Sequence, residues 1–515
     1  MREFARIALA VVLISLAVSV PASATECSQL SQLALKGAKI TGAELVPAGA
    51  YDAPALPFGP PPAVAAAIYK AMPAFCRVRA TLTPSADSDI KIEVWMPAEN
   101  WNGKLDGIGN GVWAGSISTF EMATPLTRGY AVVATDTGHV GNGLDAGFAV
   151  GHREKLVDFG YRAVHEMTVE AKALIAAFYG KAPRLSLWTS CSTGGRQGLM
   201  EAFRYPDDYN GISAMAPANP MTALMVQSLW TGFAALGNPA SAVPPAKLAI
   251  VHNAYIKACD AKDGVKDGLV GDPERCRFDP KVLVCKGKDG PDCLTAAQVV
   301  TMKAVYGGVK NPRTGKRIFA GFEPGGEDQL GLLMAGPEPF PVATSYMRDL
   351  VFKDPKWDFK TFDYDRDVDL ARDAGSSVLD VPSGGLAKYF AGGGKLLLSH
   401  GWSDGLIPAG NTVAFYQAMQ STLDPNTTAS SVRLFMVPGM EHCGGGNGPY
   451  LFDALSVIDS WADKGDAPDR IVASKPPGAT AMSRPLCPYP QIAKYSGKGS
   501  TDEAANFTCV TPGKR

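Results

Sequence analysis

A succession of strand, helix and strand between Ile90 and Met215 constrains this chain more than any other feature. "IKIEVWMP" alternates apolar and polar residues, as a half-buried strand does. "GYAVVATD" and "LSLWTS" are short continuous apolar runs, the pattern of strands covered on both faces. Between those two runs, "YRAVHEMTVEAKALIAAFYG" spaces its apolar residues at helical intervals and ends at Gly180, a suitable C-cap. This order predicts a right-handed crossover and a parallel sheet, hence an α/β fold. The alternation stops near Pro220. Residues 221–380 are rich in Gly, Pro, Asp and Lys and show no clear βα rhythm. The rhythm resumes with "GGKLLLSHGWSDGLIP" and "SVRLFMVPGMEHC". We therefore expect one α/β core, residues 25–220 and 381–515, with 221–380 inserted as a lid.

The first 24 residues read as a secretory signal peptide: a basic start "MREFAR", the apolar run "IALAVVLISLAVSV", and a small-residue cleavage site ending at Ala24. No later run is long and apolar enough to span a bilayer, so no stable membrane anchor is expected. All ten cysteines lie beyond that site, and an even number in an exported chain favours disulfides. The expected location is secreted or periplasmic. No CxxC pair occurs, which disfavours a zinc ribbon. A formal net charge of −1 gives no field that would attract nucleic acid or an anionic membrane. Oligomeric state is not legible.

The chemistry concentrates at three places. Ser190-Cys191-Ser192-Thr193-Gly194 approximates G-x-S-x-G, with small residues two before and two after Ser192. Such a strand-to-helix turn lifts a serine hydroxyl above the sheet. Asp404 follows one later apolar strand and His442 follows another. Nucleophile, acid, base is the chain order of α/β-hydrolases. Ser192 is thus the expected nucleophile, His442 the base and Asp404 its support. His139 and Asp136, in "ATDTGH", are the rival base and acid. His165 reads as structural, and His400 as a pocket-lining residue. One oxyanion donor should be the Thr193 N–H. The other should come from "KLDGIGNGVWAG", at Gly109 or Gly111, with Gly111 favoured. Ile407, three residues after the acid, is placed facing the pocket.

Cys191 precedes Ser192 and Cys443 follows His442. If serine and histidine hydrogen-bond, their chain neighbours are close, so a Cys191–Cys443 disulfide is expected, the alternative being two buried thiols.

"CSTGGRQG", "WSDGLIP" and "EHC" together resemble the tannase and feruloyl esterase family of α/β-hydrolases, which also includes a hydrolase of mono(hydroxyethyl) terephthalate. The likeness extends over about residues 25–510, "WNGKLDGIGNGVWAG" and "ATDTGH" included. Ser190, where the family often has Gly, and Val112, where a third loop glycine is common, depart from the pattern. The resemblance implies a bonded Cys191–Cys443 pair beside the triad. It further implies the pairs Cys27–Cys76, Cys259–Cys276, Cys285–Cys293 and Cys487–Cys509.

"CDAKDGVKDGLVGD", Cys259 to Asp272, gathers three aspartates in eight residues, with Gly264 and Gly268 allowing tight turning. On residue types alone a solvated acidic turn is the favoured reading, although hard carboxylates also suit Ca²⁺. The resemblance reverses that preference. It implies a structural calcium held by the side chains of Asp260, Asp263 and Asp267 and the carbonyls of Val265 and Leu269. The activity it implies is hydrolysis of aromatic esters, hydroxycinnamates or hydroxybenzoates of feruloyl or galloyl type, as small-molecule substrates. Terephthalate monoesters are the alternative substrates, and a non-catalytic binding module is the alternative of a different class.

Overall fold

The computed structural model describes residues 26–54, 59 and 61–513. The signal-peptide expectation for residues 1–24 falls outside them. A nine-stranded mixed sheet organises the molecule: β1 (Ala38–Val46), β2 (Phe75–Leu82), β3 (Ile90–Pro97), β4 (Lys104–Ile108), β5 (Ala131–Thr135), β6 (Leu185–Cys191), β7 (Gly211–Met215), β8 (Lys395–Gly401) and β9 (Val432–Val437). The spatial order is β1-β2-β3-β5-β4-β6-β7-β8-β9. The first three strands and the β3–β5 pair run antiparallel. From β5 across to β9 every pairing is parallel.

Two-sided burial explains the continuous apolar runs. In β5, Val133 joins the cluster containing Met167, Ala171 and Leu174 of the helix Ala163–Tyr179. Its neighbours Val132 and Ala134 enter a cluster on the opposite face, with Trp95 and Leu187. Leu396 and Leu398 of β8 likewise face one way, and Leu397 packs with Ile458 and Trp461 on the other. The helix Ala163–Tyr179 ends at Gly180 in the left-handed region, φ 71°, so the expected crossover is present. Its two strands are not neighbours, however, because β4 lies between them. Strand β4 is only five residues long and carries Lys104, Asp106 and Gly107, so it offers no apolar run to read. Asp106 is fully buried in it and accepts a hydrogen bond from Thr189 Oγ1 at 2.8 Å.

Between β7 and β8 the chain adds no strand to this sheet. It forms helices instead, among them Met221–Leu236, Pro245–Cys259, Ala296–Gly307, Glu327–Met334 and Asp367–Leu379. Their apolar faces enter two clusters, one around Leu229, Val342 and Tyr346 that also takes in Trp113, Phe159 and Ile407, the other around Leu248, Met302 and Leu330. The start and end of this excursion are pinned to each other. Asn219 Nδ2 donates to the Val381 carbonyl at 2.9 Å, and Val381 N donates back to Asn219 Oδ1 at 2.7 Å. Next to them Thr222 donates through N and Oγ1 to the two carboxylate oxygens of Asp380 at 3.0 and 2.6 Å. Trp113, from the loop after β4, reaches into the inserted helices and donates to the Val342 carbonyl at 3.0 Å.

The cysteines form five pairs: Cys27–Cys76, Cys191–Cys443, Cys259–Cys276, Cys285–Cys293 and Cys487–Cys509. Among the described residues no helix is long and apolar enough to cross a membrane.

Candidate active site

Strand β6 ends at Cys191, and Ser192 turns the chain into the helix Thr193–Arg204. Ser192 has φ 62° and ψ −125°, a backbone conformation that penalises any residue with a Cβ. Its N–H is held by the Met215 carbonyl at 3.0 Å. The turn closes only because its neighbours are small. A Cβ on Gly194 would sit 2.0 Å from Ser190 Oγ, and one on Gly109 would sit 2.5 Å from Gly194 Cα. Serine is tolerated at position 190, where the related pattern often has glycine, because Gly194 leaves room for its hydroxyl.

Ser192 Oγ lies 3.0 Å from His442 Nε2, and His442 Nδ1 lies 2.7 Å from Asp404 Oδ2. These three residues, expected from the sequence, are therefore brought together in the expected order. Asp404 is 1% exposed. Its second oxygen accepts from the N–H groups of Leu406 and Ile407, both at 2.8 Å. Burial alone would raise the Asp404 carboxyl. The facing His442 charge and the hydrogen bonds from His400 and His442 outweigh it and hold the group below the usual carboxylate range. An ionised Asp404 fixes the His442 tautomer that leaves Nε2 free to accept a proton from the serine.

His400 departs from its expected place. It is fully buried, does not line the cavity, and bonds Asp404 Oδ2 at 3.0 Å and Thr412 Oγ1 at 2.8 Å. It supports the acid from behind. The rivals His139 and Asp136 are not at the site. His139 stacks on Phe148 with ring centres 3.6 Å apart, and Asp136 accepts from the N–H groups of Lys91 and Gly138.

The loop after β4 supplies the floor beside Ser192. Asn110 N–H donates to Gln197 Oε1 at 3.0 Å, and Gln197 Nε2 donates back to Asn110 Oδ1 at 3.0 Å. Gly109 is packed against the nucleophile turn, whereas Gly111 faces the cavity with open space at its Cα. Thr193 is the first residue of its helix, so its N–H has no intrahelical partner. Thr193 Oγ1 donates to the Val112 carbonyl at 2.7 Å, which joins the two candidate oxyanion elements.

Two residues here carry no sequence signal. Gln329, on an inserted helix, accepts from His442 N at 2.9 Å and Gly405 N at 3.2 Å, bridging the base and acid loops. Glu121 is the other; it lines the cavity. That cavity has a volume of about 550 Å³ and opens on Ser192 and His442. Leu224, Met225, Leu332, Phe340, Leu406 and Ile407 form its apolar wall. Cys191 and Cys443 are bonded beside it, with Cα atoms 5.9 Å apart.

The acidic loop is enclosed by the Cys259–Cys276 disulfide. Asp260 Oδ1 accepts from Asp267 N and Gly268 N, both at 3.1 Å. Asp263 accepts from Val265 N and Gly271 N, and Asp267 from Leu269 N and from Arg484. Burial first, and the neighbouring Asp267 and Asp260 charges in addition, push the Asp263 carboxyl up to about 6. Arg484 pairs with Asp267, and every donor is a hard oxygen, the type that a divalent cation such as Ca²⁺ takes. Among the described residues the three carboxylates are nevertheless not gathered around one point, and each is turned to backbone N–H groups instead.

A largely parallel sheet whose strand-to-helix turn after β6 presents a serine, with an aspartate on the loop after β8 and a histidine on the loop after β9, is the architecture of the α/β-hydrolases. The comparisons narrow this class. The chain belongs to the tannase and feruloyl esterase family, whose model matches residues 76–510. It is 37% identical to an uncharacterized esterase of Xanthomonas campestris pv. campestris, over 94% of this chain and 91% of that one. It is 33% identical to the mono(2-hydroxyethyl) terephthalate hydrolase of Piscinibacter sakaiensis, over 88% and 87% of the two chains. The crystal structure of feruloyl esterase B from Aspergillus oryzae superposes with a TM-score of 0.84 at 29% identity, covering 94% of this chain and 99% of that one. The protein is a carboxylic ester hydrolase.

Proposed function

We propose that this protein is an exported serine esterase that cleaves esters of aromatic acids through an acyl-enzyme. The observation that carries the reading is the hydrogen-bonded chain Ser192–His442–Asp404 at the edge of a largely apolar cavity. Ser192 Oγ attacks the ester carbonyl carbon while His442 Nε2 takes its proton. The resulting oxyanion is met by the N–H groups of Thr193 and Gly111. Collapse expels the alcohol, which leaves with the proton from His442. Water, deprotonated by the same nitrogen, then attacks the acyl-serine and releases the acid. Aromatic acyl groups suit the cavity because the inserted residues Leu224, Met225 and Phe340 offer a broad apolar wall.

The segment 221–380 acts as the lid over that cavity in this reading. Asp260, Asp263 and Asp267, with the Val265 and Leu269 carbonyls, would hold a calcium ion that braces it without entering the chemistry. Export is supported by the leader pattern and by five disulfides, which persist in oxidising compartments.

Wild type and Ser192→Ala are compared on p-nitrophenyl acetate, methyl ferulate and methyl gallate. The expected result is turnover of at least one aromatic ester by wild type, and a kcat about 10⁴-fold lower or less in the variant. Equal turnover by the two proteins would remove Ser192 from the mechanism.

A further inference from the structure

The cavity has two unlike walls. The inserted helices and the acid loop give the apolar one. The loop after β4 and the helix Thr119–Thr127 give Ser116, Ser118 and Glu121. Among the described residues no hydrogen bond or ion pair engages the Glu121 carboxylate, and neither the Ser116 nor the Ser118 hydroxyl has a side-chain partner. Among the described residues no Lys or Arg lines the cavity. Glu121 is thus an unpaired carboxylate whose side chain is open to the cavity. Nothing in the Ser192–His442–Asp404 chain uses it.

We propose that Glu121 determines specificity by accepting a hydrogen bond from a substrate hydroxyl and by repelling substrates that carry a carboxylate. The inference rests on the esterase reading and deepens it by naming the substrate class: neutral, hydroxyl-bearing aromatic esters. A hydroxyl donor satisfies the orphan acceptor, and Ser116 and Ser118 extend the same polar patch. A second carboxylate brought into the cavity meets Glu121 and finds no cation to offset it. The hydroxyl can come from the aromatic ring or from the alcohol, and both present the same chemistry to Glu121.

The test compares kcat/KM ratios for wild type and Glu121→Gln on three substrate pairs. Methyl ferulate against methyl 3,4-dimethoxycinnamate removes the ring hydroxyl. Glyceryl against propyl dimethoxycinnamate removes the alcohol hydroxyls. Methyl 2-hydroxyethyl terephthalate against mono(2-hydroxyethyl) terephthalate adds a carboxylate. Each ratio is taken on one preparation, so losses of folded protein cancel. Wild type should favour the hydroxyl-bearing member of the first or second pair, and the pair that responds identifies the end bound. It should also use the neutral terephthalate diester about tenfold better than the anionic monoester. Glu121→Gln should shrink both preferences severalfold. Identical ratios in the two proteins, or a wild-type preference for the anionic ester, would overturn the proposal. Absence of any ester turnover by wild type would instead defeat the esterase reading itself.

Discussion

Ser192 occupies a left-handed conformation, and the residues around it show what that requires. Gly109 and Gly194 close on it from two sides, and the pentapeptide Ser190–Gly194 advertises this arrangement in the sequence. Asp404 and His442 were legible for a similar reason, since each follows a strand whose apolar run is unbroken. His400 was not, because a histidine after such a run can face either the cavity or the core. Gln329 and Glu121 are single polar residues on helices, where nothing in the local pattern distinguishes a site residue from a solvated one. His139 and Asp136, the rivals for base and acid, have a different consequence. Burial pushes His139 down to about 4 and Asp136 up to about 7. The neutral His139 contributes stability in full above about 6.5, and loses it as pH falls towards 4. The neutral Asp136 contributes in full below about 3.8, and loses it as pH rises towards 7. His139 is worth roughly 3 kcal/mol at most and Asp136 roughly 4 kcal/mol at most, and between pH 4 and 6.5 the two slopes oppose each other. Melting curves should therefore show Asp136→Asn gaining Tm from pH 4 to 6.5 and His139→Leu losing it, with wild type flatter than either. Parallel profiles for all three proteins would contradict the assignment.

At the scale of elements, the long apolar strands β5, β6, β8 and β9 and the helix ending at Gly180 were readable from periodicity. Strand β4 was not, since Asp106 and Gly107 interrupt its pattern, and its place between β5 and β6 follows from tertiary pairing alone. The loop beyond it carries Gly111, favoured over Gly109 from the sequence, and Gly111 is the one with open space at its Cα towards the cavity. The Cys191–Cys443 bond joins the β6 turn to the loop after β9 across 252 positions of sequence. Loop-closure entropy rates such a bridge at about 5 kcal/mol, a ceiling that native strain reduces. Its second effect is local, because it couples the backbone of the serine to that of the histidine. Replacing both cysteines by alanine should lower Tm by several degrees and kcat about tenfold or more. Calorimetry and ester assays check this, and a double variant matching wild type in both would leave the bridge without a role.

For the whole molecule, the hydrogen bonds of Asn219 with Val381 and of Thr222 with Asp380 tie together the two ends of the stretch in which the sequence loses its strand–helix rhythm. Its interior was not readable, because short helices separated by Gly and Pro leave little periodicity. The acidic loop inside it supplies a test at this scale. A bound calcium at 100 to 1,000 times its dissociation constant adds about 3–4 kcal/mol to stability. Chelator should therefore lower Tm by roughly 3–4 °C, with recovery on adding Ca²⁺ and not Mg²⁺. An unchanged melting curve and no metal in the purified protein would count against that ion. The sheet order also governs how the chain is made. Strand β7 is finished about 180 residues before its neighbour β8 exists. At ordinary ribosome speeds that is some 10 to 35 seconds with a bare sheet edge. During that interval the nascent chain carries Ser192 but neither Asp404 nor His442, so the proposed triad stays incomplete until more than four-fifths of the polypeptide has been added.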